Sequence, residues 1–450
     1  MLKRGAVAMA LLLAMLVVPF QTASGADSLT LLSQKTVTLP VAVPPRTATD
    51  YTFHTTALSS PTTVRVLLPR DYDPSGTTRY PVLYLLQGGA ADYTSWTTGG
   101  GIVQSLTDGL DLIVVMPDAG KSAWYTDWYN NSHGGPPKWE TYHIDQLIPW
   151  IDGHFQTIAS RSGRAIAGLS SGGFGAMSYA SRHPDLFVAA AAFSGAVDTN
   201  TPPYIASHVI DGLAAQDGGG PGSLFGLRET QEVRWRGHNP WDLAENLRGM
   251  DLTLRTGNGF PGGPGPEMLL DGGRLLEGAV HPMNVSFDQR LTALGIAHTF
   301  EDYGPGTHSF YYWNRDLEKT LPEIMSTFAQ HRPDPSPFSY RSIEQRYSVY
   351  GWNVVMHRGV AEFSSLDNAG PSGFTVTGSG SATVTTPGVF TPASVHTIKL
   401  RGKSTQITAA PDGSLTISVP LGKANAVQQY FTPTGDSPAT KVFTTSVTIQ

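Results

Sequence analysis

The sequence contains no cysteine, and only 15% of its 450 residues are charged. The absence of cysteine excludes disulfides, thiol catalysis and metal sites built on thiolates. The net charge of −6 argues against a nucleic acid as the main partner, because a polyanion binds basic surfaces. The sequence also lacks the H-E-x-x-H and EF-hand patterns, so we expect neither a metal ion nor any other cofactor.

The N-terminus has the three-part layout of a secretory signal peptide. Lys3 and Arg4 precede an apolar run over residues 6–18, and small residues follow up to Ala26. The alternative is a membrane anchor, but the run is too short to span a bilayer comfortably. We therefore predict a signal peptide over residues 1–26 and a secreted, extracellular protein with no integral membrane segment after signal removal. Association with the cell wall is left open.

The region from about residue 50 to 330 alternates apolar segments with helical patterns. Two unbroken apolar runs, 80–89 and 110–120, are typical of central strands in a parallel sheet, because both faces of such strands are buried. Four further strand candidates end in glycine turns: 164–168, 186–195, 251–259 and 298–306. Residues 140–155 carry apolar side chains at helical spacing. This alternation predicts a doubly wound α/β sheet, whose ligands bind at the carboxyl ends of the strands.

The length of the chain predicts two domains. Prolines in a polar stretch at 333–340 predict a linker that ends an α/β domain over residues 27–332. Residues 341–450 alternate β-branched and polar side chains between short turns, which is typical of a small antiparallel β-sandwich. This second domain would stabilise the first, or bind a cell-envelope glycan through Trp352 or nearby tyrosines.

The stretch from Gly168 to Gly172 reads Gly-Leu-Ser-Ser-Gly and matches the G-x-S-x-G pattern. In α/β hydrolases this pattern is a sharp strand-to-helix turn that holds a serine in a strained conformation. A strand candidate precedes it and a helix start of small residues follows it, which favours this context over a plain structural turn. The register makes Ser170 the candidate nucleophile, and Ser171 would offer its backbone N–H to the oxyanion.

A serine nucleophile needs a base, and in this fold the order along the chain is serine, acid, histidine. Of the 13 histidines, His308 directly follows the last predicted strand in a glycine-containing loop, where it can reach over the sheet. The alternative is a loop histidine that packs on Tyr311 or Trp313. We predict His308 as the base.

The acid should follow the strand at 251–259. Glu267 is the first carboxylate after it and is our first choice, with Asp271 as the alternative. Glu277 lies farther along, in a segment with a helical pattern.

A second oxyanion donor should come from the loop after the first long strand, where the run at 80–89 ends. Gly88 and Gly89 lie there, and their unhindered amides can point at a substrate oxygen. The alternative is a plain glycine turn.

Six segments between about residues 60 and 330 occur together: VLYLLQGG, IVVMPDAGKSAWYTDWY, PKWETYHIDQLIPWI, AIAGLSSGGFGAM, RTGNG and GTHSFYYW. In order and spacing they resemble the mycolyltransferase (antigen 85) branch of the esterase D-like α/β hydrolases. The resemblance implies the α/β-hydrolase fold, Ser170 as nucleophile and His308 as base. It also implies an oxyanion hole formed by the amides of Gly89 and Ser171.

The sequence departs from that family in two places. The family has a carbohydrate-contacting Asp and Arg beside the oxyanion glycine, and this chain has Gln87 and Ala90 there. The family's acid is a Glu shortly after GNG, but this stretch carries extra residues, so Glu267 is the nearest match. Trp124 and Trp128 lie in family-like segments and, with Gln87, are candidates for the substrate pocket. The alternative for the two tryptophans is packed core.

These residues predict a serine carboxylesterase or mycolyltransferase-like acyltransferase that works through an acyl-serine intermediate. Its substrates would be small-molecule esters, with cell-envelope lipids or glycolipids as candidates; water as acceptor makes an esterase, a sugar hydroxyl a transferase. An S-formylglutathione hydrolase-like thioesterase is less favoured, because its thiol substrate is cytosolic. The alternative from another class is a non-catalytic cell-wall or matrix binding protein on an esterase-like scaffold.

Overall fold

The computed structural model describes residues 29–42, 44–130, 137–201, 210–263, 272–432 and 435–450. The predicted signal peptide at 1–26 lies outside these ranges. Within them, no helix is both long and apolar enough to cross a membrane.

A nine-stranded sheet forms the centre of the first domain. Its strands are β1 Leu29–Leu39, β2 Arg46–Thr55, β3 Thr62–Leu67, β4 Val82–Leu86, β5 Ile113–Pro117, β6 Arg164–Leu169, β7 Ala189–Phe193, β8 Asp251–Thr256 and β9 Thr299–Asp302. Their order is β1-β2-β3-β5-β4-β6-β7-β8-β9, antiparallel up to the β3–β5 pair and parallel beyond it. The six predicted strand segments form β4 to β9. All but the edge strand β9 are almost wholly buried, as their unbroken apolar character requires.

Helices cover both faces of this sheet. They are α1 Val103–Leu106, α2 Ile148–His154, α3 Ser171–Arg182, α4 Arg228–His238, α5 Gly272–Ala293 and α6 Phe310–Ala329, with a π-helix at Thr141–Leu147 directly before α2. One apolar cluster packs α2, α3 and α5 against one face, and a second packs α1 and α6 against the other. This is the doubly wound arrangement that the sequence predicts.

The second domain packs two antiparallel sheets around one apolar core. Its strands are β10 Phe338–Ser342, β11 Arg346–Val349, β12 Trp352–His357, β13 Ser364–Gly370, β14 Gly373–Gly378, β15 Ser381–Thr385, β16 Val395–Leu400, β17 Lys403–Thr408, β18 Thr416–Pro420, β19 Phe431–Thr432, β20 Gly435–Asp436 and β21 Phe443–Ile449. The order is β10-β13-β14-β21-β16-β17 in one sheet and β11-β12-β15-β18 in the other, while β19 and β20 form a separate two-stranded pair. Trp352 is buried in this core and offers no surface to a glycan. Strand β10 begins inside the stretch predicted as linker.

The two domains meet around the C-terminal end of α3. Arg182 donates from Nε to Glu140 at 2.8 Å and from Nη2 to Glu344 of the second domain at 3.2 Å. The Tyr340 hydroxyl donates to the Arg182 carbonyl oxygen at 2.7 Å. A small apolar cluster joins the domains beside these contacts: Val233, Leu243, Ile343 and Phe363. The second domain therefore forms part of the packing around α3.

Glu140 depends on Arg182 to remain ionised inside the protein. The Glu140 side chain is 9% exposed and that of Arg182 is 11% exposed. Burial acts to raise the pKa of Glu140, but Arg182 and His183 outweigh burial and hold this pKa below its usual value. A buried carboxylate that loses its cation carries the full cost of desolvation.

Replacement of Arg182 by Met should therefore lower the free energy of unfolding by about 3–5 kcal/mol, because Glu140 is left buried without its guanidinium partner. Urea unfolding followed by tryptophan fluorescence measures this loss. The matched control is Arg70→Met, whose partner Asp108 lies at the surface, with side-chain exposures of 30% and 33%. That control should lose far less stability, because solvent already screens an exposed ion pair. If the two variants lost the same free energy of unfolding, Arg182 would not be the group that stabilises buried Glu140.

Candidate active site

The Gly-Leu-Ser-Ser-Gly stretch forms the turn between β6 and α3. Ser170 has φ 55° and ψ −123°, a backbone conformation that is rare for a residue with a side chain. A Cβ on Gly168 would lie 2.2 Å from the Gly172 carbonyl oxygen, and one on Gly172 would lie 2.3 Å from the Gln87 carbonyl oxygen. Only glycine fits at these two positions. The turn thus holds Ser170 in a strained conformation at the carboxyl end of a central strand.

His308 lies in the loop between β9 and α6. Its Nδ1 lies 2.7 Å from Glu277 Oε2, and its side chain is 5% exposed. The ring packs edge-on against Trp313 at a centroid distance of 4.9 Å, and the backbone N–H donates to the Gly273 carbonyl oxygen at 3.0 Å. With a proton on Nδ1 donated to the carboxylate, Nε2 keeps its lone pair and can accept a proton.

Glu277 is the carboxylate that the structure brings to His308. Its side chain is fully buried on α5. While Oε2 faces the imidazole, Oε1 accepts hydrogen bonds from the Thr256 hydroxyl at 2.9 Å and the Gly257 amide at 2.8 Å. Three donors therefore hold this carboxylate in one orientation, which in turn orients the imidazole.

Sequence reasoning placed the acid earlier in the chain. Glu267 and Asp271 both lie outside the described residues, and Glu277 stood behind them because it is farther into a helix. A signal for Glu277 was present. It lies at helical spacing with Val280 and Phe287 on the buried side of α5. A carboxylate on an apolar helix face needs a buried partner, and that requirement points to a histidine.

The loop after β4 lies directly against Ser170. A Cβ on Gly88 would lie 2.6 Å from Leu169 Cδ1 and 3.2 Å from Ser170 Cβ. The next turn is fixed by Ala90, whose N–H donates to the Lys121 carbonyl oxygen at 2.6 Å and whose φ is 61°. Small residues are needed here so that this backbone can approach the serine.

Gln87 is buried, and its side-chain amide forms hydrogen bonds within the protein. Its amide nitrogen donates to Asp118 Oδ1 at 3.2 Å and to the carbonyl oxygens of Ala91 at 3.2 Å and Gly120 at 3.1 Å. Burial raises the pKa of Asp118 to about 6, and the hydrogen bond from Gln87 opposes that rise. Gln87 therefore braces the loop after β4 from within.

Ser170, Ser171 and His308 line one narrow pocket of about 50 Å³. The other residues that line it are mostly apolar: Trp124, Ala196, Thr199, Ile210, Leu213, Leu276, Ala279, Val280 and Met283. The structure thus brings Trp124 to the two serines and the histidine. Of the other pocket candidates, Gln87 and Trp128 are buried and are not among the described residues that line it.

Comparison with known sequences identifies the family to which the first domain is similar. A sequence model of the Esterase family matches residues 55–324. Esterase Rv1288 of Mycobacterium tuberculosis is 36% identical over 260 residues, which are 58% of this chain and 55% of that relative, so the match spans only about half of the relative's length. Diacylglycerol acyltransferase/mycolyltransferase Ag85A of the same organism is 31% identical over 278 residues, 58% of this chain and 78% of the relative.

Two solved structures share the fold at lower identity. MPT51 of M. tuberculosis is 20% identical with a TM-score of 0.50, over 66% of this chain and 99% of that one. An S-formylglutathione hydrolase from Agrobacterium tumefaciens is 19% identical with a TM-score of 0.51, again over 66% and 99%. These likenesses show an α/β-hydrolase fold. Because the family model matches residues 55–324, and because Ag85A is a relative at 31% identity, the chain belongs to the Esterase family and is related to its antigen 85 members.

Proposed function

We propose that this protein is a secreted serine hydrolase that cleaves small-molecule esters through an acyl-serine intermediate, with Ser170, His308 and Glu277 as its triad. The observation that carries the proposal is the 2.7 Å contact between His308 Nδ1 and the buried Glu277, in a loop whose histidine shares a pocket with the strained Ser170. Glu277 takes the role that sequence reasoning gave to Glu267.

In the first half of the reaction, His308 Nε2 takes the proton of the Ser170 hydroxyl as its oxygen attacks the ester carbonyl carbon. The carbonyl oxygen becomes an oxyanion and accepts hydrogen bonds from the amides of Gly89 and Ser171. The Ser171 amide is the first of α3 and has no partner within the helix, so it is available as a donor. Collapse of this intermediate breaks the ester C–O bond, and His308 returns the proton to the leaving alcohol.

In the second half, an acceptor hydroxyl attacks the acyl carbon with His308 again as base. The bond between Ser170 Oγ and the acyl carbon then breaks, and His308 returns the proton to Ser170. Water releases a carboxylic acid, and a sugar hydroxyl would give a new ester. One departure from the antigen 85 family favours water. The Asp and Arg with which the antigen 85 family contacts carbohydrate are replaced by Gln87 and Ala90, and the Gln87 side chain is bound inside the protein. The narrow pocket favours short acyl groups.

A fluorophosphonate probe and a series of p-nitrophenyl esters test this proposal. We expect one probe per chain, on the peptide that contains Ser170, and fastest hydrolysis of the acetate and butyrate esters. Adding a sugar acceptor should not divert acyl groups from water. Transfer product with the sugar would make the protein a transferase. A chain that is unlabelled and inert on every ester would be a binding protein on an esterase scaffold, and the proposal would fail.

A further inference from the structure

Three large apolar side chains in the first turn of α5 and the loop beside it are exposed to solvent. Phe260, in the loop after β8, is 61% exposed, while Leu275 and Leu276, in the first turn of α5, are 77% and 45% exposed. Removing such side chains from water is favourable. A group of them at the surface therefore marks a place where something apolar binds. We call these three residues the apolar rim.

The rim is held together by Arg274. Its Nε donates to the Gly259 carbonyl oxygen at 3.1 Å, and its guanidinium lies 5.7 Å from the centre of the Phe260 ring. This contact ties the loop after β8 to the first turn of α5. Phe260 therefore lies against the turn of α5 that carries the two leucines.

The rim is continuous with the catalytic pocket. Leu276 lines that pocket as well as facing solvent. Glu277 is the next residue and turns inward to His308, and Leu275, two positions before Glu277, lies about 200° around the helix from it. One helical turn therefore carries the acid on its inner side and the rim on its outer side.

We infer that the apolar rim seats the protein on the surface of an aggregated lipid ester, so that the substrate enters the pocket from an apolar phase. This inference rests on the proposed ester hydrolysis. A second copy of the chain seated on the rim would cover Leu276 and with it the pocket entrance. A surface composed of the substrate itself covers the same side chains and still supplies the pocket, so it is the occupant compatible with turnover.

Tributyrin tests this inference, because it can be offered both dissolved and as an emulsion. For the wild type we expect the rate per enzyme to rise sharply once tributyrin exceeds its solubility. In the double variant Phe260→Ser/Leu275→Ser, adsorption to the emulsion should weaken by about tenfold or more, since two apolar contacts are lost. Neither residue lines the pocket, so hydrolysis of dissolved p-nitrophenyl acetate should be unchanged. The matched control is Val389→Ser/Val395→Ser, which removes two similarly exposed apolar side chains (55% and 57%) from the second domain.

The outcomes separate the two proposals. If dissolved acetate ester is hydrolysed but the rate on tributyrin does not rise when the emulsion forms, the rim inference is overturned and the proposed function stands. The same conclusion follows if the rate rises equally in the rim variant. Flotation of Ser170→Ala protein with tributyrin droplets measures adsorption without turnover. Loss of adsorption in the rim variant but not in the control therefore supports the rim even if no ester is cleaved. Self-association in sedimentation that disappears in the rim variant would identify a second copy as the occupant and overturn the inference.

Discussion

Ser170→Ala should abolish ester turnover, with kcat falling by about 10⁶-fold, because the nucleophile and the acyl-serine intermediate are both lost. The labelling by fluorophosphonate should disappear with it. Alanine tolerates the Ser170 backbone conformation no better and no worse than serine, so the fold should be retained. The measurement is kcat on p-nitrophenyl acetate together with near-UV circular dichroism of the purified variant.

Ser171→Ala is the matched control for this prediction. The Ser171 hydroxyl is buried and has no hydrogen-bond partner among the described residues, while its proposed role uses only the backbone N–H. Alanine keeps that N–H, so activity and labelling should stay within a few-fold of wild type. If the Ser171 variant loses the label and the Ser170 variant keeps it, the nucleophile has been assigned to the wrong serine.

Glu277→Gln should lower kcat by about 10⁴-fold, because the neutral amide neither fixes the His308 tautomer nor stabilises the imidazolium that forms during attack. Gln has the shape of Glu and keeps an oxygen for the Thr256 and Gly257 donors, so the site should remain assembled. The expected signature is a large fall in kcat on dissolved p-nitrophenyl acetate, with slow but measurable fluorophosphonate labelling of Ser170.

The comparison that decides the acid uses the carboxylates that sequence reasoning favoured. Glu267→Gln and Asp271→Asn should both keep nearly full activity, because the contact of His308 Nδ1 is with Glu277. A 10⁴-fold loss in the Glu267 variant with a fully active Glu277 variant would restore the first choice and remove Glu277 from the proposed triad.

The parallel part of the sheet could be predicted because strands buried on both faces must be apolar throughout, as 80–89 and 110–120 are. The serine turn could be predicted because two glycines flank Ser170 at positions where a Cβ would meet backbone atoms. Both signals are local. Each depends on a few neighbouring residues and their immediate steric demands.

The carboxylate beside His308 could be predicted only in part: the apolar spacing around Glu277 marks it as buried, but it does not show that this turn of α5 faces His308. Order along the chain favours the first carboxylate after the strand, whereas the fold brings in one that lies ten residues later. Trp352 illustrates the same limit. Its sequence context is compatible with a surface aromatic, and only the packing of two sheets shows that it is core. Gln87 likewise occupies a family substrate position but bonds inward.

One 12-residue helix links the two domains to the reaction. Helix α3 begins directly after Ser170 and ends at Arg182, about 18 Å away, where Glu344 and Tyr340 of the second domain contact it. The β-sandwich therefore contributes directly to the packing around the C-terminal end of α3. A chain cut at about residue 332 would expose Val233 and Leu243, which now pack against Ile343 and Phe363 of the second domain, so a shortened chain should be less stable at the end of α3 farthest from Ser170.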